Sequence, residues 1–183
     1  MTTTSNQTAD PLAGPVSWDL DPAGSSAAFQ HKSIWGLVTV RGTFASMRGI
    51  GEIHADGSAS GRLEIDAASL DTKNGKRDTH LRSADFFHAD THPQIVAELG
   101  PVIRLGDTEA SVAGKLTVNG ITRPVQLTAK ITEDTGEAVT LRTETEVDRA
   151  DFGMTWNQFG MVKGNATVSV VARFVRPASP TQA

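Results

Sequence analysis

The 183-residue chain contains no cysteine and no apolar run near the roughly 18 residues that a membrane-spanning helix requires. The absence of cysteine excludes disulfide bonds, an acylated lipoprotein cysteine and a cysteine-ligated metal. Residues 1–8 have neither a basic n-region nor an apolar h-region, so we expect no secretory signal. These absences predict a soluble, cytoplasmic protein with no membrane span.

The chain also lacks the excess of basic charge that is typical of nucleic-acid-binding proteins. Its 17 lysine and arginine residues are outnumbered by 21 aspartate and glutamate residues, which gives a formal net charge of −4 at neutral pH. The basic residues between Lys73 and Arg82 are interspersed with Asp71, Asp78 and Asp85. We therefore expect no nucleic-acid partner.

The length suits one domain with a single substantial core. Residues 1–15 and 177–183 are rich in small polar residues, alanine and proline and show no hydrophobic periodicity. We predict that both segments are disordered tails and that residues 16–176 form the ordered domain.

Most of the ordered region alternates apolar and polar residues, which is typical of β-strands with one buried face. Asn119-Gly120 separates two such stretches and favours a type I′ hairpin turn, because both central residues of that turn need positive φ. Pro124 cannot donate to a ladder and belongs at an edge, a strand start or a bulge. About eight such strands predict an antiparallel sheet, closed as a barrel or packed as a sandwich.

One segment, residues 76–87, departs from the β pattern. It opens with polar and charged residues, and Asn74 is a residue type that caps helices. Leu81 is its only large apolar side chain before Phe86 and Phe87. We predict a short helix that ends in two aromatic residues and plugs or lines one end of the β-structure.

A histidine cluster offers a catalytic hypothesis. His80, His88 and His92 lie within thirteen residues, and the four-residue spacing of the last two suits metal ligands on a helix. Pro93 disfavours a helix there, and no glutamate lies between the pair as in the HExxH pattern. A metal-assisted hydrolase is therefore an alternative function, and a solvated polar edge is the simpler explanation of the cluster.

The apolar strand faces and the aromatic residues of the irregular segments, Phe159 included, predict either a packed core or a gated apolar pocket. Few polar groups inside such a pocket would favour a lipid-like tail. His31 shares the inward face with Phe29, most simply as a hydrogen-bonded core histidine. The residues expected to line the pocket are Phe29, His31, Val38, Val40, Phe44, Leu81, Phe86, Phe87, Ile95, Leu116, Leu127, Phe152 and Trp156.

Several segments, taken in order, resemble the YceI-like family of lipocalin-like, polyisoprenoid-binding bacterial proteins. The similarity spans residues 16 to 176, and two patterns together are specific: RDTHLRSADFF at 77–87 and LTVNGITRPV at 116–125. The other similar segments are residues 18–21, 29–31, 40–44 and 149–154.

The resemblance implies an extended eight-stranded antiparallel β-barrel with one short α-helix and an elongated apolar channel. It also implies binding of long isoprenoid or similar amphiphilic chains, often as a homodimer, with no established catalytic residues. We therefore expect a binding protein and not an enzyme, with no cofactor, that sequesters or carries a polyisoprenoid-type lipid. A filled barrel that acts only through its surface, as an interaction protein, is the remaining alternative.

Three basic residues near the predicted helix could contact a charged head group. Lys76, Arg77 and Arg82 are the side-chain types that bind a diphosphate. The competing interpretation is ordinary helix surface charge, together with a structural contact between Arg77 and Asp78.

Overall fold

The chain is built almost entirely from antiparallel strands joined by short turns. The structure, a computed structural model, describes residues 15–33, 36–157, 160, 162 and 165–177. Most of the two predicted tails, and Phe159, lie outside the described residues. The strands in chain order are β1 (Val16–Leu20), β2 (Ser26–Ser33), β3 (Val38–Phe44), β4 (Met47–Ile53), β5 (Ala59–Asp66), β6 (Leu70–Asp71), β7 (Gln94–Arg104), β8 (Glu109–Val118), β9 (Ile121–Asp134), β10 (Ala138–Val147) and β11 (Ala166–Val175).

These strands form one antiparallel sheet that closes into a barrel with eight strand positions. Hydrogen bonds join β1, β4, β5, β7, β8, β9, β10 and β11 in that order, and β1 also pairs with β11 to close the ring. β2 pairs with β11 and β3, and β3 pairs with β6. The pairs β1–β2, β3–β4 and β5–β6 therefore each act as one bent strand. The predicted all-β barrel is confirmed, and the sandwich that the periodicity left open is excluded.

Two of the bends have a local cause in the sequence. Asp21 precedes a 3₁₀ turn at Pro22–Gly24, and Asp66 precedes another at Ala67–Ser69. Each carboxylate accepts a hydrogen bond from the backbone N–H two residues further on, at 3.0 Å and 2.9 Å. An aspartate that bonds to its own backbone in this way turns the chain, so the strand leaves the sheet and re-enters it at a new angle.

The predicted β8–β9 hairpin is also confirmed. Val118 pairs with Ile121 across a two-residue turn in which Asn119 and Gly120 have φ values of 50° and 72°. Pro124 pairs with Lys115 of β8 and has no ladder partner in β10. On its β10 side it therefore lies at an unpaired edge, which is one of the places where a proline is tolerated.

The barrel wall is loosely joined between β9 and β10. Their ladder covers only Lys130–Asp134 against Val139–Arg142, with a register shift inside it. Beyond that point β10 continues to pair with β11 as far as Val147, while β9 pairs only with β8. We call the unpaired boundary between residues 121–129 of β9 and 143–147 of β10 the seam.

The helix of the described residues, α1 (Gly75–Arg82), lies at one end of the barrel. Its predicted cap is confirmed, since the Asn74 side chain accepts a hydrogen bond from the Arg77 N–H at 3.1 Å. The helix ends before the aromatic pair, because Ser83 adopts an extended conformation, and Phe86 and Phe87 follow in a turn. Within the described ranges, no helix is long and apolar enough to cross a membrane.

Two clusters of buried side chains form the core. One lies near α1 and includes Phe86, Ile95 and Phe152, while the other includes Leu20 and Leu63. Phe44 and Ile65 pack against both clusters and link the helix end to the rest of the barrel.

Candidate functional site

The side chains of the barrel leave a central cavity of about 320 Å³. Ligand pockets in proteins typically have volumes of about 300–1,000 Å³, so this space is large enough for part of a chain-like molecule. Its lining is mostly aliphatic. The apolar residues that line it are Leu63, Ala97, Leu99, Val112, Leu116, Val125, Leu127, Ala129, Leu141, Val147, Val168, Val170, Ala172 and Phe174.

The central cavity reaches the surface at the seam. Its lining includes three exposed residues on the two strands that separate there, Pro124 and Gln126 of β9 and Glu146 of β10. At the start of the separation the Thr143 hydroxyl donates a hydrogen bond to the Thr128 carbonyl at 3.2 Å. The cavity therefore has a lateral opening whose edges are unpaired backbone.

A second cavity of about 170 Å³ continues the central one toward β1. The two share three lining residues, Leu99, Leu141 and Phe174. Trp18 and Ile53 line its far side. An apolar molecule in the central cavity can therefore extend in this direction if the Phe174 ring moves.

A third cavity, of about 230 Å³, lies beside α1, and we call it the helix-end cavity. Phe29 and Phe87 line it, and both rings contact Phe44, with centroid distances of 5.9 Å and 5.7 Å. Phe29 and Phe87 are themselves 6.3 Å apart. Phe29 and Phe87 therefore form part of the wall of the helix-end cavity, and Phe44 packs against both rings.

Polar side chains converge on the helix-end cavity. Arg77, His80, Arg149 and His31 all line it. Burial lowers the pKa of Arg149, and burial followed by the Arg149 charge lowers the pKa of His31. The lowered pKa leaves His31 mostly neutral near pH 7, while Arg149, whose ordinary pKa lies far above neutral pH, keeps its charge.

A more open concavity lies elsewhere on the surface, with a volume of about 580 Å³. It is an open hollow lined by residues of β5, β7 and β8 and of the turn between β4 and β5. His54, Ser60, Glu98 and Lys115 help to line it, and a His54 ring nitrogen lies 2.9 Å from the Ser60 hydroxyl. An open polar hollow does not exclude water from an apolar chain, so the enclosed cavities are the better candidate site.

The sequence pattern of the YceI-like domain matches residues 18–174. The chain belongs to the YceI-like family. It is 33% identical over 114 residues to a UPF0312 protein of Ectopseudomonas mendocina, a match that covers 61% of this chain and 60% of the relative. It is 38% identical over 92 residues to the protein YceI of Shigella flexneri, covering 49% and 48%. The matched regions thus span only about half the length of such relatives.

Solved structures of YceI-like barrels have the same fold. BcnA of Burkholderia cenocepacia superposes with a TM-score of 0.76 at 21% identity, covering 85% of this chain and 99% of that one. A polyisoprenoid binding domain from Saccharophagus degradans, implicated in plant cell wall breakdown, superposes with a TM-score of 0.71 at 16% identity, covering 87% and 98%. At such identities the likeness establishes the fold.

The structure distributes the residues that the sequence predicted as ligand-binding over three environments. Leu116 and Leu127 line the central cavity. Phe44, Ile95 and Phe152 belong to or pack against the core clusters. Those that line the helix-end cavity are Phe29, His31, Val40, Leu81, Phe86, Phe87 and Trp156.

Val38 differs from the expectation that it faces inward with Val40. It is 42% exposed and is not among the residues that line the cavities. Val38 is the first residue of β3 and pairs there with Ser33, the last residue of β2. The strand face therefore continues beyond the end of the packed barrel, where alternation no longer implies burial.

The three predicted head-group residues have different surroundings. Lys76 is exposed. The Arg82 guanidinium donates a hydrogen bond to the Leu70 carbonyl. Arg77 donates from Nε to the Thr72 hydroxyl at 2.7 Å, and that hydroxyl in turn donates to the buried Asp78 carboxylate. The expected structural link from Arg77 to Asp78 therefore runs through Thr72.

The histidine cluster does not assemble as a metal site. His80 hydrogen-bonds to Asp85 at 3.0 Å, and its ring packs edge-on against Phe86 and Trp156. The rings of His88 and His92 lie 5.4 Å apart. Across the described ranges, no three His, Cys, Asp or Glu residues are grouped so that they could hold a metal ion.

Sequence reasoning overlooked two parts of the site. The first is Arg149, which the sequence shows only as one charge in a polar turn; the resemblance at 149–154 pointed to that segment without giving the arginine a role. The second is the inward face of β10 and β11, including Thr143, Thr145 and Val168. Its alternation was visible, but nothing local indicates that this face borders open space.

Proposed function

We propose that this protein binds, and sequesters or carries, a long-chain isoprenoid or similar amphiphile in its barrel. The observation that carries the proposal is the aliphatic central cavity, which side chains leave unfilled inside the barrel and which opens at the seam. Membership of the YceI-like family, and the likeness to a polyisoprenoid binding domain, support it. The unfilled volume weighs against a filled barrel that acts only through its surface.

The energetics of burial are sufficient for useful affinity. With about 30 Å³ per water-sized group, 320 Å³ accommodates about ten carbons of a chain. At about 0.8 kcal/mol per buried CH₂, ten methylene groups contribute about 8 kcal/mol, which is the scale of a micromolar Kd before the costs of association. A longer chain would continue past Phe174 into the second cavity.

The expectations from the sequence add finer points to this proposal. We propose a binding protein without a cofactor or a catalytic step, and we propose that the ligand chain contacts Leu116 and Leu127. A cytoplasmic location and a homodimer stay predictions. Light scattering after gel filtration measures the oligomeric state, and fractionation of cells measures the location.

Native mass spectrometry of the purified protein, followed by organic extraction, tests the proposal. We expect one long-chain species per chain, or stoichiometric uptake of an added polyprenol after the protein has been stripped of lipid. A protein that carries no such species and also refuses added polyprenols and long-chain fatty acids would contradict the proposed function while leaving the fold intact.

A further inference from the structure

The helix-end cavity contains a cation that has no carboxylate partner among the described residues. The Arg149 guanidinium donates hydrogen bonds to three backbone carbonyl oxygens, those of Met154 at 3.0 Å, Trp156 at 2.6 Å and Val162 at 3.3 Å. Within the ranges that the structure describes, Arg149 forms no ion pair. These carbonyl oxygens accept three hydrogen bonds from the guanidinium but do not neutralise its charge. Arg149 is partly buried, and a charge removed from water is costly unless it is paired, so an anion at this place would be stabilised.

His31 is a second polar group in the same cavity, and it lacks a hydrogen-bond partner of ordinary geometry among the described residues. Both of its ring nitrogens are buried, and neither makes a hydrogen bond of ordinary geometry with a described residue. The backbone of Asn165 lies near the His31 ring and partly offsets the lowering of the His31 pKa by burial. Its geometry is not that of an ordinary hydrogen bond. Most buried polar groups are hydrogen-bonded, so an unpartnered imidazole on a cavity wall is placed to bond with a ligand atom.

We propose that the helix-end cavity binds the anionic oxygen head group of an amphiphile, a carboxylate or a phosphate, whose apolar chain lies in the barrel. Arg149 supplies the compensating charge and His31 an N–H donor. Arg77 also lines this cavity and adds a second cation, whereas Lys76 and Arg82 do not line it. This inference rests on the proposed function and names the class of ligand that the barrel selects.

The surroundings of the two groups strengthen the interaction. Phe29, Phe86, Phe87 and Trp156 line the same cavity, so the anion would be bound in a mostly apolar space. Electrostatic attraction and hydrogen bonds are stronger in such an environment than in water. An uncharged alcohol of the same chain length gains the burial of its chain but not the pairing with Arg149.

Calorimetric titration with three ten-carbon probes, decanoate, decyl phosphate and decanol, tests the inference. Because hydrogen bonds to charged groups are the stronger kind, we expect the wild-type protein to bind at least one anionic probe about tenfold or more tighter than decanol. Arg149→Gln should abolish this preference, and His31→Leu should reduce it about fivefold or more without weakening decanol binding. His54→Leu, at a half-buried histidine on the outer hollow, is the matched control and should leave the preference unchanged.

The outcomes separate this inference from the proposed function. Equal affinity for decanol and both anions would overturn the head-group site while leaving a carrier of uncharged lipids. An unchanged preference for the anionic probe over decanol in His31→Leu would also overturn the head-group site. If Arg149→Gln fails to fold because it loses its carbonyl contacts, the result for His31→Leu alone decides whether the site exists. If inorganic phosphate binds as tightly as decyl phosphate, the ligand of this cavity is not an amphiphile and the inference is contradicted. Failure of all three probes to bind would overturn the proposed function itself.

Discussion

A ring placed in the central cavity should weaken ligand binding while leaving the fold intact. Val168 of β11 lines that cavity and pairs with Thr145 of β10 and Phe29 of β2. The change Val168→Phe puts an aromatic ring where we propose that the ligand chain lies. Because the space there is open, we expect the free energy of unfolding to change by no more than about 1 kcal/mol, below the cost of about 1–3 kcal/mol in a close-packed core.

The loss of affinity follows from the displaced length of chain. If the ring takes the place of about two methylene groups, the ligand loses about 1.6 kcal/mol of burial, which is about 15-fold in Kd. Calorimetry or displacement of a fluorescent fatty acid measures the Kd, and urea unfolding followed by tryptophan fluorescence measures stability.

Val171→Phe is the matched control for this substitution. Val171 lies on the same strand but points away from the cavity, since it pairs with Arg142 and Ser26 on the outer face. Val171→Phe makes the same chemical change outside the proposed site. The Kd should therefore stay within about twofold of wild type, a change of only about 0.4 kcal/mol in binding free energy. If Val168→Phe folds stably and binds as tightly as wild type, the chain does not occupy the central cavity and the reasoning is refuted.

Three further predictions concern ligand length, the core and acid stability. In a series of n-alkyl carboxylates, affinity should rise by about fourfold per methylene up to about ten carbons and then level off; affinity independent of length would contradict burial of the chain. Leu70→Ala, at a side chain with no exposed surface, should lower the free energy of unfolding by about 2–5 kcal/mol in urea titration, and a smaller loss would mean that the site collapses around the alanine. Arg173 donates hydrogen bonds to Glu133 and Asp21 and lowers the pKa of both carboxyl groups. The resulting stabilisation is fully present above about pH 4–5, the ordinary pKa range of these groups. It is lost as the pH falls through their lowered pKa values, because the carboxylates become protonated. Arg173→Gln should therefore flatten the loss of stability between pH 5 and pH 3 in thermal melts at about 0.1 M salt, and an unchanged pH profile would show that these ion pairs do not contribute.

The local features of the fold could be predicted from the sequence because their causes are local. The Asn119-Gly120 turn follows from the need for positive φ, and the Asn74 cap from a side chain that bonds three residues ahead. Barrel closure has no such local signal. It depends on the pairing of β11 with the bent β1–β2 strand, two residue pairs with β1 and five with β2, which joins opposite ends of the chain.

The candidate site was harder to predict for the same reason. The alternation of a strand shows which side chains share a face, but not whether the space opposite them is filled. Ile95 and Leu127 therefore looked equivalent, although Ile95 belongs to the core and Leu127 lines a cavity. The importance of Arg149 depends on the lack of an ion-pairing carboxylate among the described residues around it, and neighbours along the chain do not reveal this. The seam arises because β9 and β10 diverge. The sequence pattern of a single strand does not show where its hydrogen bonding to a neighbouring strand ends.

The location of a bound chain tests the central claim most directly. Methyl-labelled protein, stripped of lipid and saturated with one equivalent of a long-chain polyprenol or fatty acid, should show nuclear Overhauser contacts from the ligand chain to the methyl groups of Leu127 and Val168. Contacts confined to outward-facing methyl groups such as those of Val171, or to residues of the outer hollow beside His54, would contradict the account.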